Sequence, residues 1–400
     1  MQEFQFQTAG RIEFGAGAID RLPQIVAGVA TPERPVRRCL FVTGKNPARS
    51  AALREVLSAK EIESEVLSIV AEPSVDDAIA GVQRARSFDA DLVIAIGGGS
   101  ALDAGKAVAA LATNPGDPFD YLEVVGAGRP LQRPALPVIA VPTTAGTGSE
   151  VTRNAVLAAS AQRVKVSLRG EYLLPRAAIV DPQLTLSCPP AVTADCGLDA
   201  LTQVIEPLVS IRANPLTDGI AREGLIRSAR SLLQSYRHPD DLAARTDLCF
   251  ASLAGGLALA NSGLGAVHGF AGPLGGMYSA PHGALCARLL PFVIQTNARI
   301  LERDQDGRRA GDRRLRDAAL ARFQTVAALL TGQADAPIEA GVDFLFQLCA
   351  DLKIQPLREF GVRAADFPAI VEKSKRSSSM RGNCLVLADE ELTAILEAAC

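Results

Sequence analysis

A chain of 400 residues exceeds the size at which one hydrophobic core keeps growing, so two domains are expected. Its 41 basic and 44 acidic side chains leave a formal net charge of -3, which supplies no field to gather nucleic acid or anionic lipid and makes small molecules the expected partners. The opening MQEFQFQTAGRIEFGAG carries no basic patch leading into an apolar run, and no segment reaches the roughly 18 uninterrupted apolar residues of a membrane span, so a cytoplasmic protein without membrane contact is expected.

Up to about residue 185 short apolar runs alternate with helical stretches: CLFVTG at 39–44, DDAIAGVQRARSF at 76–88, DLVIAIGGGS at 91–100, LDAGKAVAALA at 102–112, LPVIAVPTTAGTGSE at 136–150 and RAAIVDP at 176–182. Apolar runs without polar alternation suit strands covered on both faces, and the helices between them predict a parallel α/β domain over 1–185. Beyond it the strand signals nearly stop. Helical patterns at 194–209, 218–236, 240–260, 318–331, 338–352 and 389–399 predict a mainly helical domain over 186–400. The arginine-rich run LERDQDGRRAGDRRLRD at 301–317 holds enough aspartate to read as a solvated helix or loop. Eight cysteines, Cys39, Cys188, Cys196, Cys249, Cys286, Cys349, Cys384 and Cys400, form no CxxC pair and read as buried thiols rather than a disulfide framework or a zinc knot.

Two turns in the first half carry chemistry. In VIAIGGGSALDAGKAVA an apolar strand ends on Gly97, Gly98, Gly99 and Ser100, and a helix begins there. Without Cβ atoms these residues let backbone amides approach a pyrophosphate, toward which the helix also directs its positive end. The stretch lacks both the GxGxxG spacing and the P-loop GK[ST], and a plain tight turn is the alternative. In PTTAGTGSE, Thr143, Thr144 and Thr147 follow a second strand and either line the same crevice or cap the next helix. Asp103 and Lys106 lie on the helix after the first turn, where Asp103 either meets a cofactor's edge or serves as a cap.

The chain has three histidines, and two of them fall in GLGAVHGFAGPLGGMYSAPHG, fourteen positions apart and each followed by glycine. In ADCGLDALTQVIEP, Asp199 and Gln203 are four apart and share one helix face. With His268 and His282 they form a donor set suited to a divalent first-row metal, although each histidine alone reads as readily as a satisfied polar group. His238, before a proline at a helix end, reads as a surface residue.

Taken in order, GGGSALDAGKAVA, VPTTAGTGSEVTRNAV, PRAAIVDPQLT, GLDALTQVIE, AVHGFAGPLGG and APHGALCA resemble the iron-containing, or group III, alcohol dehydrogenase family over roughly residues 8–399. The resemblance implies a dehydroquinate synthase-like architecture: an α/β dinucleotide-binding domain with a parallel sheet, then a helical metal- and substrate-binding domain. It implies an NAD(P)-dependent oxidoreductase that interconverts a small alcohol and its aldehyde or ketone, with a keto acid as a further substrate class, working as a homodimer. The family's metal ligands fall on Asp199, Gln203, His268 and His282, of which Asp199, His268 and His282 also carry the catalytic assignment. Two departures stand out. Gln203 replaces a histidine, so an iron or zinc ion should be weakly held, and Gly272 replaces a histidine that relays a proton. With the metal, a Lewis acid polarises the carbonyl; without it, His268 or His282 would act as the acid.

NAD-preferring members place an aspartate after the first strand, where this chain has Gly44, then Lys45 and Arg49; loss of the carboxylate favours NADP over NAD. Asn154 and Lys165 align with family residues near the cofactor. Two other functions compete. A sugar-phosphate cyclase, which uses NAD transiently, would need clustered cations in 186–298, where they are few; a nucleotide-binding protein that has lost catalysis would explain Gln203 and Gly272.

Overall fold

Apolar runs that the sequence leaves unbroken become the inner strands of one sheet in the computed structural model, which describes residues 3–30, 35–123, 125–162 and 164–400. In chain order the first unit, Gln7–Thr144 with Gly148–Leu186, contains β1 (Ile12–Phe14), α1 (Leu22–Val29), β2 (Arg38–Thr43), α2 (Ala51–Ser58), β3 (Glu63–Ser68), α3 (Val75–Ser87), β4 (Leu92–Gly97), α4 (Gly99–Thr113), β5 (Val138–Pro142), β6 (Asn154–Ala159), β7 (Val164–Arg169) and β8 (Ala177–Val180). Among the described residues the main sheet runs β1-β8-β5-β4-β2-β3 with every pairing parallel. Strand alternation sends Phe41, Ile94 and Ile96 to the face covered by Leu22 and Ile25 of α1, and Leu40, Val42 and Val93 to the face covered by Ala85 and Val108 of α3 and α4. Chain order reverses at β2, which has β3 on one side and β4 on the other, so the ends of β2 and β4 form the switch point where such sheets bind ligands.

Two pieces of β structure lie outside the apolar runs. Edge strand β3 reads ESEVLS and has no such run, because only one of its sides is paired and its side chains are partly in water. The antiparallel β6–β7 hairpin buries every second residue of NAVLAA, a period-2 signal too short to stand out beside the parallel strands.

The second unit takes in Ser187–Cys400, with Ala145–Thr147 and the described residues before Gln7. Its helices are α5 (Pro190–Val209), α6 (Pro215–Arg237), α7 (Leu242–Ser262), α8 (Ala266–Met277), α9 (His282–Arg303), α10 (Arg313–Thr331), α11 (Ile338–Asp351), α12 (Phe367–Lys375) and α13 (Asp389–Ala399). Helices α8, α9 and α12 go beyond those predicted. Pro273 and Pro291 sit inside α8 and α9, where local propensity opposes a helix and the buried apolar face overrides it. By length and composition α7 could cross a membrane, but it is mostly buried within the unit. Its Arg245, 2 % exposed, donates to Thr193 Oγ1 at 2.8 Å and to the Pro239 carbonyl at 2.9 Å. The charged run divides between the end of α9, an exposed loop and the start of α10, and its Arg309 pairs with Glu391 at 2.8 Å. All eight cysteines are free thiols, five of them buried, and His238 is exposed at the end of α6.

Candidate metal centre and phosphate-binding turns

The helical unit brings together the four residues marked out as a donor set. Asp199 and Gln203 face the same way from α5, His268 projects from the first turn of α8, and His282 opens α9. Asp199, Gln203 and His268 are 2 %, 3 % and 7 % exposed, and His282 is partly exposed at the rim. Nε2 of His268 lies 3.3 Å and Nε2 of His282 4.0 Å from Oδ1 of Asp199, and the two rings are 5.5 Å apart between centroids. Oδ1 of Asp199, Oε1 of Gln203 and Nε2 of His268 are buried without a hydrogen-bond partner. Such atoms are costly unless something else satisfies them, and this donor set fits a divalent cation.

Electrostatics agree with that geometry. Burial pushes the Asp199 carboxyl up, but His268 and His282 more than offset it and hold it below the usual carboxylate range. Nδ1 of His268 is 2.7 Å from Oε2 of Glu206, whose other oxygen accepts the Val267 N–H at 2.7 Å. That carboxylate orients the ring and turns Nε2 toward Asp199, the arrangement common behind metal-bound histidines. Glu206 carries no signal in the sequence beyond its place seven residues after Asp199, which puts it on the same helix face. Cys286, expected only as a buried thiol, stands one turn after His282 on α9 with its Sγ 3.6 Å from Nε2 of His282.

The glycine after each histidine has a packing reason. A Cβ on Gly283 would lie 2.4 Å from the Asp195 carbonyl oxygen of α5, and one on Gly269 would lie 3.1 Å from the Met380 Cβ. Each therefore lets its helix approach closely. At Gly272, one turn after His268, a Cβ would meet nothing within 4 Å.

In the α/β unit Gly97 ends β4, Gly98 caps α4, and Gly99 and Ser100 form the first turn of that helix. A Cβ on Gly97, whose φ is 156°, would lie 2.7 Å from the Ala101 Cβ, and one on Gly98 would lie 3.3 Å from Thr144 Oγ1. Gly97 also accepts the Thr143 N–H at 2.9 Å, so the ends of β4 and β5 are tied together. Gly44 follows β2 with open space where a Cβ would stand; Lys45 and Arg49 are exposed, and Arg49 donates to Thr143 Oγ1 at 3.3 Å. The helix N-terminus, bare glycines and a cation thus share one end of the sheet. Thr147 belongs to the segment grouped with the helical unit.

Asp103 accepts from the Ser149 hydroxyl and from the Val156 N–H at 3.0 Å, with Lys106 Nζ 3.1 Å away. Both of its oxygens are held inside the protein. Lys106 is fully buried and donates to the Ser149 carbonyl at 2.9 Å, to Thr152 at 3.0 Å and to the Asn154 carbonyl. Burial draws its pKa down and pushes that of Glu150 up to about 7. Lys165, paired across the hairpin with Ala158, bonds Glu72 at 2.5 Å.

Known proteins match both units. Residues 9–182 match the family described as iron-containing alcohol dehydrogenase, and residues 193–400 match the C-terminal domain of the Fe-containing alcohol dehydrogenase family. Alcohol dehydrogenase 4 of Saccharomyces cerevisiae is 32% identical over 391 residues, 96% of each chain. The 1,3-propanediol dehydrogenase of Klebsiella pneumoniae is 35% identical over 320 residues, 80% of this chain and 78% of its own. A crystal structure of a 1,3-propanediol oxidoreductase superposes with a TM-score of 0.86 at 31% identity, covering all of both chains.

Proposed function

Because the chain belongs to the iron-containing alcohol dehydrogenase family, we propose that Asp199, His268 and His282, with the amide oxygen of Gln203 beside them, hold a divalent metal at the reacting oxygen of a small alcohol or its carbonyl partner. The protein is an NAD(P)-dependent alcohol oxidoreductase; the lyase and non-catalytic alternatives are not favoured. The observation that carries the site assignment is the set of three buried, unpartnered atoms on Asp199, Gln203 and His268. When bound, the metal supplies Lewis acidity at the carbonyl oxygen and the nicotinamide supplies or accepts the hydride.

The protein's own residues do the rest. Glu206 fixes the tautomer and orientation of His268. His282, at the more open edge of the set, is the histidine placed to meet substrate. Gly272 offers no side chain for proton relay, so proton transfer there would fall to water. The glycine turn, Ser100 and the strand-end threonines Thr143 and Thr144, with Thr147, Asn154 and Lys165 as further contacts, are assigned to the dinucleotide, and Asp103 ties α4 to Ser149 and Val156. Gly44, with Lys45 and Arg49 near it, favours NADP, because Gly44 sets no carboxylate against a 2′-phosphate. Iron or zinc, a homodimer and a cytoplasmic site of action complete the reading on family resemblance.

The test is turnover of a panel of small aldehydes with NADPH or NADH, before and after chelation. Chelated enzyme should lose turnover and regain it with added iron or zinc, and His268→Ala should lower metal occupancy along with rate. Full turnover from rigorously metal-free protein would refute the Lewis-acid role and leave the histidines as acids.

A further inference from the structure

We propose that the thiolate of Cys286 is a ligand of the metal centre, supplying the strong donor that Gln203 fails to supply and inclining the site toward a thiophilic ion such as zinc or cobalt(II). This inference rests on the metal reading above. Cys286 lies on α9 one turn after His282, so both side chains leave the same helix face. Its sulfur is fully buried, and one donor atom from each of Asp199, His268, His282 and Cys286 lies within 4.8 Å of the others. Independently, Oδ1 of Asp199, Oε1 of Gln203 and Nε2 of His268, all on side chains more than nine-tenths buried, are left without partners at the same place.

The spacings suit a tetrahedral centre. With zinc to sulfur about 2.3 Å and zinc to nitrogen or oxygen about 2.0–2.1 Å, neighbouring donors stand about 3.3–3.6 Å apart. The sulfur of Cys286 is 3.6 Å from His282 Nε2, and His268 Nε2 is 3.3 Å from Asp199 Oδ1. Of these three distances the one from His282 to Asp199, 4.0 Å, has to contract, and the other donor pairs lie within 4.8 Å.

Charge points the same way. Asp199, Gln203 and two neutral imidazoles give a divalent ion one anionic donor in direct contact, the Glu206 carboxylate standing behind His268. A thiolate adds a second anionic donor at the ion itself. Binding converts the Cys286 thiol to a thiolate: the sulfur–hydrogen bond breaks, its electron pair forms the sulfur–metal bond, and the proton leaves to solvent without any change of oxidation state. Sulfur donors also separate zinc from the oxygen-preferring ions. Gln203 keeps its unpartnered amide oxygen beside the ion as the weaker, neutral donor.

The test uses the full chain loaded with cobalt(II) or zinc. Cobalt-loaded protein should show a thiolate-to-cobalt charge-transfer band in the near ultraviolet, lost in Cys286→Ser and in His268→Ala. Removing a partner of a metal-bound histidine already costs about 10- to 100-fold in affinity, so Cys286→Ser should weaken zinc binding by at least that factor. Zinc-edge X-ray absorption on the unaltered protein needs no variant and should show one sulfur at about 2.3 Å. Tight metal with only nitrogen and oxygen neighbours and no charge-transfer band would overturn the role of Cys286 while leaving the metal centre in place. Failure of the unaltered chain to bind any divalent ion would overturn both.

Discussion

Gln203 stands one turn from Asp199 on α5 and turns a neutral amide toward the candidate metal centre. A neutral carbonyl oxygen is a weaker donor to iron or zinc than an imidazole. Gln203→His should therefore hold either ion more tightly, read as metal content after dialysis, whereas equal or lower content would mean that this position does not face the ion. A second single residue governs the dinucleotide. At Gly44 a Cβ has no atom within 4 Å, so Gly44→Asp should fold normally and act through charge alone. It should weaken NADPH while leaving NADH little changed in fluorescence titration. An equal loss for both would show that the 2′-phosphate is read elsewhere.

At the level of elements, the site depends on how closely α9 begins against α5. Gly283 makes that approach possible, since a Cβ would lie 2.4 Å from the Asp195 carbonyl oxygen. Gly283→Ala must push the start of α9 away, carrying His282 from Asp199. Overpacking of this kind costs about 1–3 kcal/mol, so the denaturation midpoint should fall and metal affinity with it. Gly272→Ala, on α8 in open space, is the matched control: it should leave metal affinity unchanged and the midpoint no lower, since alanine is the better helix former. Equal behaviour of the two variants would refute the packing argument.

At the scale of the whole molecule, stability responds to pH through buried Glu150, whose pKa burial raises from 4.5 to about 7. Its Oε1 has no hydrogen-bond partner. Because the folded chain holds this proton more tightly than the unfolded chain, stability is greatest below about pH 4.5 for this group and falls as pH rises toward 7. Glu150→Gln mimics the protonated form. It should raise stability at pH 8 by about 1–3 kcal/mol and change it little at pH 4, by denaturant melts at both values. A variant less stable at pH 8 would mean that the carboxylate's attraction to Lys106 outweighs its burial.

Local pattern was enough for the inner strands, because β2, β4 and β5 are covered on both faces and must be apolar throughout. It was also enough for the turn at Gly97–Gly99, where missing side chains are themselves the signal, and for Asp199 and Gln203 as neighbours, because helical spacing places residues four apart on one face. Edge strand β3 and helices α8 and α9 escaped it: an edge strand can stay polar, and a helix carrying proline and several glycines forms only when its apolar side is buried. The convergence of α5, α8 and α9 belongs to tertiary structure alone. Residues 199, 268 and 282 have no local spacing that sets their distances, and the support of His268 by Glu206, like the approach of Cys286 to His282, exists only once those three helices pack. Helical periodicity says which side chains share a face; only packing decides which faces meet.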